Sequence, residues 1–150
     1  MDFQAQIDED LKAAMKAREV DRLAVIRMLK TALKNLAIEQ GGADARLDAL
    51  SSMVVVRKEV KKRQDAIEGF EKGNRPELAA RERLEIEILK GYLPTAMSSE
   101  ELASLVARAV AETGASSKAQ MGAVMKAANA LAGGRADGKE LSAAVAALLK

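Results

Sequence analysis

The chain has 150 residues, 49% hydrophobic but only 2% aromatic, with 24 basic against 22 acidic side chains and neither cysteine nor histidine. That length allows one large domain or two small ones, and a core of Leu, Ile, Val, Met and Ala favours helix packing over a sheet sandwich. The missing residues exclude disulfides, thiol catalysis, His-based triads and ordinary zinc sites, and a formal charge of +2 is too small to imply a polyanion partner by itself.

The N-terminal stretch MDFQAQIDEDLKAAMKA is acidic and amphipathic, without the basic start and apolar run of a signal peptide. No stretch approaches the ~20 apolar residues of a membrane span. A cytoplasmic protein with no membrane partner is the expectation. Leu23, Ile26, Leu29, Leu33 and Leu36 then fall on one helical stripe. Gly41-Gly42 ends that helix. Met53, Val56, Val60, Ile67 and Phe70 make a longer stripe, whose gap at Arg63 and Gln64 predicts a more exposed middle. Gly73 ends it. Asn74 is the expected N-cap of the next helix, with Pro76 in its first turn, and that helix runs through Leu84, Ile88 and Leu89 to Gly91. Pro94 disfavours helix at Leu93.

Composition changes at Pro94 to Met97, from long charged side chains to Ala, Ser and Gly. This predicts two domains, 1–94 and 95–150. Three short helices are expected in the second. Each opens on a capping pair: Ser98 with Glu101, Ser117 with Gln120, and Asp137 with Glu140. The fold class is all-α: an N-terminal helical bundle followed by a small three-helix domain.

The stretch GGRADGK, 133–139, has a local explanation, because its glycines end one helix and Asp137 caps the next. That explanation leaves Arg135 and Lys139, two cations flanking a helix start that already favours an anion. The densest basic run is RKEVKKR, in which Arg57, Lys58, Lys61 and Lys62 can share a helix face and track phosphates. Alternation with Glu59, Asp65 and Glu68 equally fits a solvated face. Arg27, Lys30 and Lys34 form a second strip beside Thr31 and Asn35. Glu82, Glu85 and Glu87 alternate with arginines and read as helix surface, so no metal and no cofactor is expected. SSK at 116–118 matches the residue types of an amidase nucleophile, but adjacent residues on a helix start point apart, and capping explains them. Without interleaved aromatics, any RNA contact is to shape and backbone; no DNA partner is expected.

ETGASS at 112–117, QMGAVM at 120–125 and GRADGK at 134–139 follow one another at a spacing that resembles the GatB/YqeY family. DLKAAMKA, RLAVIRMLKTALKN, KEVKKRQDAIEGFEKGNRPELAARERLEIEIL and YLPTAMSSEEL extend the likeness over nearly the whole chain. The resemblance implies an all-helical protein similar to the C-terminal tail of the B subunit of the tRNA-dependent Asp/Glu amidotransferase, a carbon–nitrogen ligase with glutamine as amide donor. That tail contacts the tRNA body, while the chemistry lies in a cradle domain that nothing here matches. The resemblance therefore implies a tRNA-binding module without catalytic residues of its own. Gly134, Arg135, Gly138 and Lys139 form its candidate loop, and Lys118 and Lys126 add charge. A protein–protein adaptor, or an accessory component of a glutamine-dependent amidotransferase, are the alternatives. The Gly- and Ala-rich loop at 39–52 departs from the more charged loop of relatives.

Overall fold

The computed structural model describes residues 2–42 and 44–149. Ala43, within the 39–52 loop, lies outside them, as do Met1 and Lys150. Among the described residues there are seven α-helices, one 3-10 turn and no strand, so the fold is all-α. The helices are α1 (Phe3–Ala17), α2 (Val20–Gly41), α3 (Ala49–Lys72), α4 (Pro76–Lys90), α5 (Ser99–Thr113), α6 (Met121–Ala132) and α7 (Gly138–Leu148). They group into two compact units, Met1–Tyr92 and Leu93–Lys150. None is long and apolar enough to cross a membrane.

In the first unit α3 and α4 form a hairpin, α1 packs on α2, and α2 touches both α3 and α4. The stripe read from the sequence is the buried one: Ile26, Leu29 and Leu33 have at most 1% of their surface exposed. Burying each such side chain fully contributes about 1.5–3 kcal/mol. Tyr92 closes this unit. Its hydroxyl donates to Asp10 Oδ2 at 2.6 Å, and its ring lies 5.9 Å from that of Phe3. Burial and the Asp10 carboxylate both push the phenol above its ordinary value of 10.

Two local expectations are corrected, and one helix break has no sequence signal. Asn74 does not cap α4; Arg75 occupies that position, and Asn74 sits at φ 56, a left-handed conformation that asparagine tolerates well. The break between α1 and α2 falls at Arg18, also at φ 56, with no glycine to announce it. In the middle of α3 Gln64 is exposed as expected, but Arg63 keeps only 5% of its surface. Its Nε donates to Glu85 Oε2 at 2.9 Å, and Nη1 donates to the Glu59 carbonyl and carboxylate at 3.0 and 3.1 Å. A buried ion pair, not solvent, fills the gap in the apolar stripe.

The second unit is a three-helix packing with a small-residue core. Val106, Ala109, Val124, Ala128, Leu141 and Val145 are fully buried. Alanines at 109, 128 and 132 let the helices approach closely, so a larger side chain at Ala128 would overpack the core by about 1–3 kcal/mol.

Candidate nucleic-acid interface

The 133–139 turn is built by the ends of α6 and α7. Gly133 caps α6 at φ 56 and Gly134 follows at φ 86, two left-handed residues in succession. Glycine is the residue that adopts this without steric cost. Asp137 then opens α7. Its Oδ1 accepts from the Glu140 amide at 2.7 Å, and Glu140 Oε2 accepts from the Asp137 amide at 3.2 Å. Two carboxylates therefore already occupy the electropositive start of α7, where an incoming phosphate would meet them. Gly138 is the first residue of α7, and a Cβ there would meet nothing within 4 Å.

Arg135 is turned back onto its own unit. Its Nε donates to the Thr95 carbonyl at 2.9 Å, and Nη2 donates to Glu101 Oε2 at 3.1 Å. Glu101 is also the capping partner of Ser98, accepting from its amide at 2.8 Å. That amide first, and Arg135 second, hold the Glu101 carboxyl below its ordinary value. One guanidinium thus ties the 133–137 turn to the start of α5. The side chain stays 38% exposed.

The lysines are placed differently. Lys118 lies in the 3-10 turn Lys118–Gln120, Lys126 on α6 and Lys139 in the first turn of α7. All three are exposed, and none has a carboxylate partner among the described residues. The nearby carboxylates are consumed within the unit. Glu112 accepts from Arg108 Nε at 2.9 Å, Glu101 accepts from Arg135, and Asp137 and Glu140 cap α7. Glu100 is the exception: exposed in the first turn of α5, with no such partner among the described residues.

The basic run on α3 is partly neutralised along its own helix. Lys61 pairs with Asp65 at 2.9 Å and Lys62 with Glu59 at 3.0 Å, while Lys58 is exposed and Arg57 half-buried. The hydrogen bond to Asp65, then its charge, raises the Lys61 ammonium above its ordinary value. Sequence reasoning counted Glu59 only as a solvated partner of this run. Its i, i+4 spacing to Arg63 was the available signal of the buried pair.

The YqeY family model, described as a Yqey-like protein, matches residues 4–149. The chain belongs to the YqeY-like family. Among curated relatives, the protein named altered inheritance of mitochondria protein 41, mitochondrial, of Lachancea thermotolerans is 40% identical over 103 residues, which cover 67% of this chain and 54% of that protein. The protein of the same name from Eremothecium gossypii is 36% identical over 106 residues, covering 69% of this chain and 56% of that protein. An uncharacterized protein of Schizosaccharomyces pombe is 34% identical over 92 residues, covering 61% and 72% respectively. The chain spans about half the length of the first two. The cytoplasmic expectation is corrected here, because the relatives that carry a descriptive name are named as mitochondrial proteins.

Proposed function

We propose that this YqeY-like protein is a tRNA-binding module that contacts the phosphate backbone through its second unit, without catalytic residues of its own. The observation that supports this reading is the imbalance of free charge. Lys118, Lys126 and Lys139 are exposed without carboxylate partners among the described residues, while Glu101, Glu112, Asp137 and Glu140 are held internally. The second unit has six basic and five acidic side chains, and among the described residues its exposed charges with neither an ion-pair partner nor a capping hydrogen bond are these three lysines against Glu100. Lysines act as point charges toward phosphate and read no sequence, which suits recognition of an RNA body by shape.

Arg135 has a different part in this reading. Its donors to Thr95 and Glu101 position the turn that carries Lys139, and its remaining exposure allows one outward contact. Gly134, at φ 86, shapes that turn, and Gly138 opens α7 with free space around it. On the first unit, Lys58 supplies the free cation of the α3 run, and Arg57, Lys61 and Lys62 contribute to its field.

Fluorescence anisotropy of the full chain with labelled tRNA, against a duplex-RNA control of equal length, tests the proposal. Tighter binding of tRNA with a steep salt dependence is expected. Equal binding of both RNAs would reduce the site to a general polyanion surface. No binding of either would remove the RNA function and favour an adaptor role.

A further inference from the structure

The guanidinium of Arg63 is buried, and its three nitrogens are not equally served. Nε donates to Glu85, and Nη1 donates to the carbonyl and carboxylate of Glu59. Nη2 has only a sulfur among the described residues: Met28 Sδ on α2, 3.7 Å away. A thioether is a weak acceptor, while a guanidinium keeps its charge and all its donors in a folded protein. One nitrogen of the buried ion pair is therefore poorly satisfied, and a stronger acceptor at that place would gain more than it does in water.

Met28 can acquire such an acceptor on its own side chain. It keeps 51% of its surface exposed, so a small oxidant reaches the residue. Met15 on α1 is its natural control: it is 53% exposed, and no donor meets its sulfur among the described residues. Met97, Met121 and Met125 pack against the apolar core of the second unit, where an added oxygen would disturb the packing. Met28 alone among these combines access with a cationic donor at the sulfur.

We propose that Met28 is a site of oxidation by peroxide, and that Arg63 holds the sulfoxide formed there. A lone pair of Sδ attacks the nearer oxygen of hydrogen peroxide. The S–O bond forms as the O–O bond breaks, and the outer oxygen leaves with both protons as water. Sulfur loses two electrons and the peroxide gains them. The oxygen added to Sδ comes within reach of Nη2, so the donor meets negative charge as it develops on that oxygen and lowers the barrier. In the product the sulfoxide oxygen accepts a charge-assisted hydrogen bond in place of the weak contact to sulfur. Oxidation at Met28 therefore stabilises the first unit, the reverse of its usual effect on a packed methionine. The site is separate from the lysines of the second unit, so it stands or falls independently of RNA binding.

Limited hydrogen peroxide treatment of the full chain, followed by peptide mass spectrometry, tests the first half. Met28 should be converted faster than Met15. Urea unfolding followed by Tyr92 fluorescence tests the second half, with Met28→Leu treated identically to subtract the other methionines. Oxidation should raise the midpoint of the parent by about 0.5 M relative to that control, and methionine sulfoxide reductase should reverse the rise. Met28→Gln, which carries a carboxamide oxygen at similar reach, should unfold at a higher midpoint than Met28→Leu without any oxidant. The proposal is overturned if Met28 is converted no faster than Met15, if oxidation at Met28 leaves the midpoint unchanged or lowers it, or if Met28→Gln is no more stable than Met28→Leu.

Discussion

Replacing Arg63 by methionine isolates the energetics of the buried ion pair. The substitution keeps an unbranched side chain of similar reach against Met28, whose sulfur lies 3.7 Å from Arg63 Nη2. It strands two carboxylates, Glu59 at 7% exposure and Glu85, whose side chain is 16% exposed. Removing one partner of a buried pair costs about 3–5 kcal/mol. Lys62 remains on Glu59 at 3.0 Å and Glu85 keeps some water, so the low end, about 3 kcal/mol, is expected. Tyr92 is the single tyrosine and the chain has no tryptophan, so its fluorescence reports the first unit during urea unfolding. The midpoint should fall with an unchanged slope against urea. Changing all three residues together, Glu59→Met, Arg63→Leu and Glu85→Met, should restore stability to within about 1 kcal/mol of the parent, because no buried charge is then unpaired. A loss below about 1 kcal/mol for Arg63→Met alone would refute the reasoning.

Acid should weaken the first unit in a defined window. Burial pushes the Glu59 carboxyl up, but hydrogen bonds and charge from Lys62 and Arg63 outweigh it and hold the group below its ordinary 4.5. A depressed carboxylate contributes stability above its unfolded pKa that is lost as pH falls through the folded value. The urea midpoint should therefore drop below pH 4.5, and Glu59→Gln should flatten that drop; parallel profiles would contradict it. Asp48→Ala removes the carboxylate that accepts from the Ser51 amide at 2.7 Å at the start of α3, and should cost about 1 kcal/mol in the same assay. Gly138→Ala meets open space in a helical first turn and should stabilise the second unit by about 0.5 kcal/mol, read by thermal circular dichroism. Ultraviolet titration of Tyr92 should give a midpoint above 10, and Asp10→Asn should lower it.

What the sequence revealed divides by the distance over which the determining interaction acts. The Asp137–Glu140 and Ser98–Glu101 capping pairs span three residues, and both form as expected. Gly133 ends α6 because its own backbone conformation decides it. Arg63 was misread because its main partner lies 22 residues away on α4, and an interrupted apolar stripe looks the same whether solvent or a carboxylate fills the gap. Arg135 stood out as a cation at a helix start. Its use was illegible, because Thr95 and Glu101 lie 40 and 34 residues back along the chain. Arg18 ends α1 in a left-handed conformation that no local residue signal required.

The most direct measurement is the salt dependence of tRNA binding for the parent chain and for the triple variant Lys118→Ala, Lys126→Ala, Lys139→Ala. These side chains are exposed and make no ion pair among the described residues, so the fold should be unaffected. Each lost phosphate contact lowers the slope of log affinity against log salt by about 0.7–0.9. A fall of about two to three units, with weaker binding across different tRNAs, is the predicted result. An unchanged slope in a folded triple variant would contradict an RNA interface built on these lysines.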